Sequence, residues 1–325
     1  MQLLRDADID MAALAGERVA VLGYGNQGRA QSLNLKDSGI DVVVALRGAS
    51  GSTNAAEEAG LTVELVEEAV ASADVIMFLA PDEALAGIYR EVEALIPKGA
   101  AIGFSHGLVI HFGMLKPRDD LDVFLVAPKG PGTALRSLYE EGKGMVGLWA
   151  VAQDVSGQAR DIALAYGKAI GCARAGLIAS SFAEECESDL FNEGAVVWGA
   201  VPEILIAGFE TLTEAGISPE VAYLECVGEL KLLAELIEKR GIAGMREAIS
   251  NTAELGAVLG GPRVVDENVR EKMREVLAEV RSGRFAEALR QEEESGYKLL
   301  EKARSEAGEK PIERVFDELH RLGGN

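Results

Sequence analysis

The sequence has few cysteines, few aromatic side chains and no long uninterrupted apolar run. Its three cysteines, at positions 172, 186 and 226, are widely spaced and form no CxxC pair. This excludes a disulfide scaffold and a cysteine-based zinc site, and it is typical of reduced thiols in the cytosol. No apolar run approaches the ~20 residues of a membrane-spanning helix. The first ten residues hold three aspartates, so we expect no signal peptide and a cytoplasmic protein.

Positive charge is also scarce. The 32 lysines and arginines are outnumbered by 53 aspartates and glutamates, which gives a net charge of −21. Such a surface repels nucleic acid and anionic lipid, so neither is an expected partner. Most of the acids are expected to be solvated surface groups, and any proposed carboxylate site has to be weighed against that alternative.

Short apolar segments alternate with helical segments through the first half of the chain. Strands of this composition have both faces covered, as in a parallel sheet between two layers of helices. The series predicts an α/β fold, a Rossmann-type doubly wound domain over residues 1–182. The predicted strands are 18–22, 42–46, 75–80, 100–104, 123–127, 145–151 and 173–179, and the predicted helices include 27–38 and 54–60.

Strand-like segments end near residue 182, and apolar residues then recur at three- and four-residue spacing. Breaks at 216–219, 239–244 and 260–262 separate the segments of this second half. We therefore predict an all-helical second domain over residues 183–325.

A glycine-rich segment, GYGNQG, follows the first predicted strand and precedes the first predicted helix. This is the GxGxxG pattern in the context that dinucleotide binding requires, because its glycines permit a tight turn and a close approach of the pyrophosphate. The helix N-terminus then faces the phosphates. The alternative is a glycine-rich turn without a ligand. The predicted cofactor-binding residues of this segment are Gly23, Tyr24, Gly25, Asn26, Gln27 and Gly28.

The residues after the second predicted strand favour NADPH. NAD-binding folds usually place Asp or Glu there to hold the ribose hydroxyls. Here Arg47 takes that position and is followed by Ser50, Ser52 and Thr53, a set that suits a 2′-phosphate. Because only one cation is present, use of NADH stays open, and an exposed loop charge is the alternative for Arg47.

Further polar residues follow later strands, at the sheet edge where open α/β folds bind ligands. His106 follows the strand AAIGF, and Lys129 lies in the segment PKGPG after the strand VFLVA. We assign both as catalytic candidates because of their position. The alternatives are a structural role for the histidine and an exposed surface position for the loop lysine. Asp82 and Gly132 complete the predicted cofactor-binding set.

Two pairs of carboxylates have i, i+4 spacing on predicted helices, Asp189 with Glu193 and Glu225 with Glu229. At about 100° per residue each pair falls inside an apolar stripe. An unpaired carboxylate buried there is costly or becomes protonated, so something must neutralise the four acids if the helices meet. Oxygen donors without His or Cys suit Mg²⁺ or Mn²⁺ rather than zinc.

Seven segments together resemble one family. GYGNQG, FSHG, VAPKGPG, ESDLFNE, FETLTEAG, ECVGELKL and ISNTAELG, in this order, resemble the class I (short) ketol-acid reductoisomerases over the chain up to about residue 275. The resemblance implies that Asp189 bridges two Mg²⁺ ions and that Glu193 binds one of them. It implies that Glu225 and Glu229 complete the second ion's shell from a partner subunit, so that a homodimer is the smallest active unit. It also implies a knotted helical domain.

The implied activity is that of an oxidoreductase with an isomerase step in valine, isoleucine and leucine biosynthesis. 2-Acetolactate would become 2,3-dihydroxyisovalerate, and 2-aceto-2-hydroxybutyrate would become 2,3-dihydroxy-3-methylvalerate. Ser250 would bind the substrate carboxylate, and Glu229 or a hydroxide held by the metals would be the base. His106 and Lys129 would hold a hydrogen-bond network beside the nicotinamide.

The chain departs from the family pattern at several positions. Members often have glycine and glutamine where this chain has Asn192 and Gly194, histidine at Gly228, and an aromatic residue at Thr53. Two rival functions stay open at this point. A 3-hydroxyacid dehydrogenase would need no metal, and a dinucleotide sensor would bind the cofactor without turnover.

Overall fold

The structure, a computed structural model, describes residues 2–323. The chain divides into two compact units, Met1–Ser188 and Asp189–Asn325, and the division falls inside one helix. The boundary at 182/183 that the sequence suggests lies six residues before that division and stays a prediction.

Within the described residues, the first unit contains a nine-stranded sheet with the order β1-β9-β8-β7-β6-β5-β2-β3-β4. Strands β2 to β7 are parallel to one another, as the apolar pattern predicts. The strands are β1 Leu3–Leu4, β2 Arg18–Leu22, β3 Asp41–Leu46, β4 Thr62–Leu65, β5 Val75–Phe78, β6 Ala101–Phe104, β7 Asp122–Pro128, β8 Gly147–Gln153 and β9 Leu177–Ala179.

Helices cover both faces of this sheet. Along β2, Val19 and Val21 belong to the core cluster on one face, and Ala20 and Leu22 belong to the cluster on the other. This two-sided burial explains why the strands contain almost no polar residues. The helices of this unit are α1 Asn26–Asp37, α2 Gly51–Glu58, α3 Val66–Ser72, α4 Asp82–Val92, α5 Leu108–His111, α6 Gly132–Glu140, α7 Ala159–Ala169 and α8 Cys172–Ala175.

The sheet differs from the sequence prediction in three places. Strand β8 is antiparallel to β7, with Gly147 opposite Pro128, because the connection 129–146 returns the chain to the edge that it left. Residues 172–175 are helical rather than extended, and Gly176, with φ at 133°, separates them from β9. The short strands β1 and β4 were not predicted.

The described part of the second unit, together with the helix that enters it, is helical throughout, as predicted. Between α11 and α12 the chain forms a π-helical turn, Leu224–Gly228, instead of the regular α-helix that the sequence suggests. The helices are α9 Phe182–Ala195, α10 Ala200–Glu214, α11 Pro219–Tyr223, α12 Leu230–Ala248, α13 Asn251–Val264, α14 Glu267–Arg281, α15 Arg284–Ser295, α16 Lys298–Gly308 and α17 Pro311–Gly323.

Few large side chains are buried among the described residues of this second unit. One buried cluster consists of Phe209, Ala222, Ile312 and Val315. Many large apolar side chains are instead more than half exposed, among them Trp198, Leu232, Ile242, Leu259 and Leu299. Exposed apolar surface on this scale is unusual for a soluble monomer and typical of an interaction surface.

One helical region, Phe182–Glu214, is long and apolar enough to cross a membrane by length and composition alone. In the structure a turn at residues 196–199 divides it into α9 and α10. Helix α9 also carries five carboxylates, which a bilayer strongly disfavours.

Candidate active site

The turn between β2 and α1 has room only for glycine at two positions. Gly23 has φ at 107°, and a Cβ there would lie 2.8 Å from the backbone of Ala80 and Leu79. A Cβ at Gly28 would lie 2.3 Å from the Gly23 carbonyl oxygen. A Cβ at Gly25 would meet nothing within 4 Å, so this residue faces open space at the start of α1. The turn therefore leaves its backbone accessible to a pyrophosphate.

The loop that carries Lys129 packs directly against this turn. Gln27 Nε2 donates to the Gly130 carbonyl at 2.9 Å, and the Thr133 amide donates to Asn26 Oδ1 at 3.2 Å. A Cβ at Gly132 would lie 2.1 Å from the Asn26 carbonyl oxygen. The structure thus brings together Asn26, Gln27 and Gly132, although Asn26 and Gln27 contact the neighbouring loop with their side chains. The side chain of Tyr24 is buried, at 9% exposed.

Replacing Gly132 with alanine is expected to weaken NADPH binding by about tenfold or more, because a shift of the order of an ångström is costly where groups must be held in register. The added Cβ must push apart the two loops that form the site. Titration of the emission of the reduced nicotinamide measures this change. Gly87→Ala is the matched control, because the new Cβ meets nothing within 4 Å on α4. Equal affinity in the two variants would contradict the expectation.

A buried polar relay lies behind the two loops. Gln31, which is fully buried on α1, donates to Gln27 Oε1 at 3.0 Å and to Ser105 Oγ at 2.9 Å. The Tyr166 hydroxyl donates to Gln31 Oε1 at 2.7 Å, and Ser105 Oγ donates to the Val126 carbonyl at 2.9 Å. The relay connects the loops after β2, β6 and β7. Neither Gln31 nor Tyr166 is identifiable as a site residue from the sequence pattern.

A buried carboxylate forms hydrogen bonds with both catalytic candidates. Glu185, on α9, is 1% exposed. Its Oε2 lies 3.0 Å from His106 Nδ1 and accepts the Gly107 N–H at 2.8 Å, and its Oε1 accepts from Lys129 Nζ at 3.3 Å. A Cβ at Gly107 would lie 2.2 Å from the Phe182 carbonyl, so glycine is required where α9 approaches this loop. The predicted pair of His106 and Lys129 is therefore brought together, by a residue that the sequence analysis missed.

The charge state of Glu185 follows from its partners. Burial raises the pKa of this carboxyl. The hydrogen bond from His106, the positive charges of His106 and Lys129, and the Gly107 N–H outweigh that effect, so its pKa lies below the ordinary value. Glu185 is thus an anion at neutral pH, and a signal for it exists in the sequence, since it precedes Asp189 and Glu193 at the same four-residue spacing.

The first predicted metal pair continues along α9 from Glu185. Asp189 is half-buried one helical turn further on, and Glu193 is exposed after another turn. Ser250, the predicted substrate contact, lies elsewhere in the helical unit. It caps α13, where its Oγ accepts the Ala253 N–H at 3.2 Å.

The second predicted pair does not lie in a buried interior of the single chain. Glu225 is in the π-helical turn, Glu229 follows it, and both are exposed. Their apolar neighbours Val221 and Leu232 are exposed as well, whereas Ala222 of the same stripe is buried. The described chain therefore covers this face only in part. The periodicity was thus informative about an apolar face but not about what covers it. π-Helical turns are frequent at functional sites.

The donor set fits a hard divalent cation. All four predicted ligands offer carboxylate oxygens, which suit Mg²⁺. The half-buried thiol of Cys226, next to Glu225 in the chain, has a pKa raised by burial and further by Glu225. A thiol that stays protonated does not compete as a metal ligand.

A cleft of about 480 Å³ opens beside Gly23 at the ends of β2 and β3. Arg47 lines it, and its Nη2 lies 3.2 Å from Glu91 Oε2 of α4. Ser50 caps α2, Ser52 is exposed, and Asp82 is half-buried at the start of α4. Of the predicted cofactor residues, Gly23 and Arg47 line this cleft, whereas Ser50, Ser52 and Asp82 are not among its lining residues. Arg47 is not an isolated cation.

The glycine turn, the cleft beside it and the charged cluster at the strand ends define a dinucleotide-dependent oxidoreductase. Residues 13–176 match the family described as acetohydroxy acid isomeroreductase, NADPH-binding domain, and residues 182–323 match the ketol-acid reductoisomerase C-terminal domain. The chain belongs to the ketol-acid reductoisomerase family, in its short form, and is an NAD(P)H-dependent enzyme of branched-chain amino acid biosynthesis. The resemblance seen in the seven sequence segments is confirmed.

Solved structures agree with this assignment. The structure of an NADH-preferring ketol-acid reductoisomerase from an uncultured archaeon is 42% identical, covers 99% of both chains and superposes with a TM-score of 0.96. A semialdehyde dehydrogenase NAD-binding protein from Cupriavidus necator is 18% identical, with a TM-score of 0.62 over 82% of this chain and 99% of its own. Pyrroline carboxylate reductase from Plasmodium falciparum is 13% identical, with a TM-score of 0.51 over 82% and 97%. The last two share the fold alone.

Proposed function

We propose that the protein converts 2-acetolactate to 2,3-dihydroxyisovalerate, and 2-aceto-2-hydroxybutyrate to 2,3-dihydroxy-3-methylvalerate, with NAD(P)H and two Mg²⁺ ions, as a cytoplasmic homodimer. One observation carries this proposal. A buried anion, Glu185, holds His106 and Lys129 at the ends of two neighbouring strands, one helical turn before Asp189. Glu185, which joins this network, and the candidate metal ligand Asp189 belong to the same helix, which supports a shared site.

Asp189 and Glu193 of one subunit, with Glu225 and Glu229 of its partner, would hold the metal ions. When bound, these ions supply Lewis-acid polarisation and stabilise the negative charge that develops as the alkyl group migrates. Glu229 would take the proton of the C2 hydroxyl on a carboxylate oxygen.

The other residues bind and orient the reactants. The Ser250 hydroxyl would donate to the substrate carboxylate while its lone pair continues to cap α13. Lys129, held by Glu185, would direct an N–H toward the substrate and the nicotinamide ring. The glycine turn would hold the dinucleotide in a fixed position relative to the substrate, and the bound cofactor would supply the hydride for the reduction.

A second copy of the chain is the partner that the exposed apolar surface suits best. The apolar side chains around Glu225 and Glu229 are uncovered in one chain, and a symmetric partner would cover them. This also explains why the carboxylate pair lies in an apolar stripe. The related structure from an uncultured archaeon is described as NADH-preferring, so NADH is a candidate cofactor here in addition to NADPH.

Glu229→Gln is expected to abolish turnover of 2-acetolactate and leave the Kd for NADPH unchanged, because it removes a metal ligand and base but no group of the cofactor cleft. Turnover is followed by NADPH and NADH oxidation with Mg²⁺ and, in parallel, with EDTA. Glu238→Gln, an exposed acid on α12, is the control. Activity that survives EDTA would contradict the proposed metal dependence, and equal loss of turnover and of cofactor affinity would contradict the role of Glu229.

A further inference from the structure

The cleft at the ends of β2 and β3 has the form expected of a site for the adenosine half of a dinucleotide. It begins at Gly23 of the glycine turn, so a cofactor whose pyrophosphate lies on that turn extends into it. Apolar side chains form its walls, and they include Leu46, Val66, Ile88 and Val92. Three charged residues line it, namely Arg47, Glu67 and Glu91.

Among the described residues that line this cleft, the cation Arg47 is paired with an acid from another element. Arg47 lies in the loop after β3, whereas Glu91 belongs to the last turn of α4, and Nη2 to Oε2 is 3.2 Å. The two side chains are 69% and 65% exposed, so the pair contributes little to folding stability. Its importance lies in its position, because a phosphate that approached Arg47 would also approach the Glu91 carboxylate.

The hydroxyl groups of Ser50 and Thr53 form hydrogen bonds within their own loop. Thr53 Oγ1 donates its proton to the Gly48 carbonyl at 2.6 Å. Ser50 and Thr53 share a hydrogen bond of 3.0 Å, and Ser50 must be its donor because the only hydroxyl proton of Thr53 is already engaged. Ser50 Oγ also accepts the Thr53 N–H. A 2′-phosphate would therefore find Arg47 and Ser52 but not the full set of donors that the sequence suggests.

We propose that Glu91 is a specificity-determining residue that selects NADH over NADPH, an inference that rests on the proposed function. A carboxylate only accepts hydrogen bonds, so it can receive the 2′-hydroxyl of an NADH ribose but repels a 2′-phosphate. Folds that prefer NAD usually place this acid at the end of the second strand. Here Arg47 stands at that strand end, and Glu91 supplies the acid from another element. The preference for NADPH suggested by Arg47 in the sequence took no account of Glu91, which pairs with this cation.

The test measures the Kd of NADH and of NADPH separately, by nicotinamide emission at low ionic strength, with no substrate or metal present. The wild-type chain is expected to bind NADH at least as tightly as NADPH. Glu91→Gln is expected to tighten NADPH binding by about tenfold, equivalent to about 1.4 kcal/mol, and to change the Kd for NADH by less than about threefold. Arg47→Ala in the Glu91→Gln background should remove the gain, because the released guanidinium is the group that would bind the phosphate.

Glu68→Gln is the matched control. Glu68 is exposed on α3 next to the cleft-lining Glu67, so its substitution removes the same charge outside the cleft. An NADPH to NADH affinity ratio that Glu91→Gln leaves within about twofold, or that Glu68→Gln changes equally, would overturn this inference and leave the proposed function intact. A wild-type chain that binds neither cofactor would overturn both. Turnover of 2-acetolactate, measured on the same preparations, shows whether the proposed function holds when the inference about Glu91 fails.

Discussion

Glu185→Gln is expected to lower kcat for 2-acetolactate by about 100-fold or more, because Lys129 and His106 lose the anion that orients them and misplacement of about 1 Å costs a factor of this size. Glutamine keeps the size of the side chain and one acceptor oxygen, but it cannot accept from all three donors as an anion does. Glu185 is a positioning residue in this account. The KM for NADPH should therefore change much less than kcat.

Glu184→Gln is the control for this variant. Glu184 is exposed on the same turn of α9, where it accepts from Ser180 Oγ at 2.9 Å. It carries the same charge but does not belong to the cluster. A Glu185→Gln enzyme with a kcat within about threefold of the wild type, or a matching loss in Glu184→Gln, would show that the cluster does not position the catalytic candidates.

The same variant should change how the free energy of unfolding depends on pH in the acid range. The pKa of Glu185 is lower in the folded chain than its ordinary value, so its ionised form stabilises the fold above that ordinary value. This contribution is lost as the pH falls through the folded-state pKa. At neutral pH the Glu185→Gln chain should be less stable by about 1.5–3 kcal/mol, the range for hydrogen bonds to charged groups. Its stability should also fall less steeply below about pH 4.3.

Chemical denaturation at a fixed subunit concentration, repeated across this pH range, measures both effects. The subunit concentration must be held constant because association contributes to apparent stability. Parallel curves for the variant and the wild type would contradict the assigned ionisation of Glu185.

Much of the first unit could be predicted because each strand is buried on both faces. An apolar run such as RVAVL has no other stable location in this fold, and the predicted strand 18–22 coincides with β2. The glycine turn could be predicted because its steric requirement is local. Only glycine fits at two positions of this short segment, Gly23 and Gly28. The direction of β8 could not be predicted, because an apolar run carries no information about which way its strand runs.

The candidate site was predicted only in part, because its geometry depends on contacts distant in sequence. His106 and Lys129 were identified from their positions after strands. Glu185 could not be distinguished among the 53 acids of the sequence, because only the fold shows that α9 brings it against these loops. The partner of Arg47 lies 44 residues away on α4, so the sequence alone presented Arg47 as an unpaired cation. Charge pairing across elements is the information that a single sequence lacks.

The apolar stripe around Glu225 and Glu229 shows a different limit. Its periodicity indicates a face that avoids water and therefore predicts an interior location. In one chain Ala222 of that face is buried, but Leu232 is 60% exposed. The pattern and the structure agree if the missing cover is a second copy, which makes the origin of the second carboxylate pair the decisive question.

Heterodimers that carry Asp189→Asn in one subunit and Glu229→Gln in the other are expected to regain roughly half of the wild-type activity per dimer, because a two-fold symmetric dimer has two sites. Each homodimeric variant should be nearly inactive, since every site lacks one ligand. In the mixed dimer one site combines both defects, while the other combines the intact Asp189 of one subunit with the intact Glu229 of the other. Two different affinity tags allow the mixed species to be purified before assay.

The reciprocal arrangement gives the opposite result and serves as the control. A wild-type subunit paired with one that carries both substitutions should be nearly inactive, because each shared site then receives one defective ligand. If each site were built from a single subunit, this second dimer would keep roughly half of the activity and the first would have none. Both dimers have the same composition and the same total charge, so differences in folding or in bulk electrostatics cannot produce a reversal between them. The comparison therefore reports only which subunit supplies Glu229 to the carboxylate pair on α9.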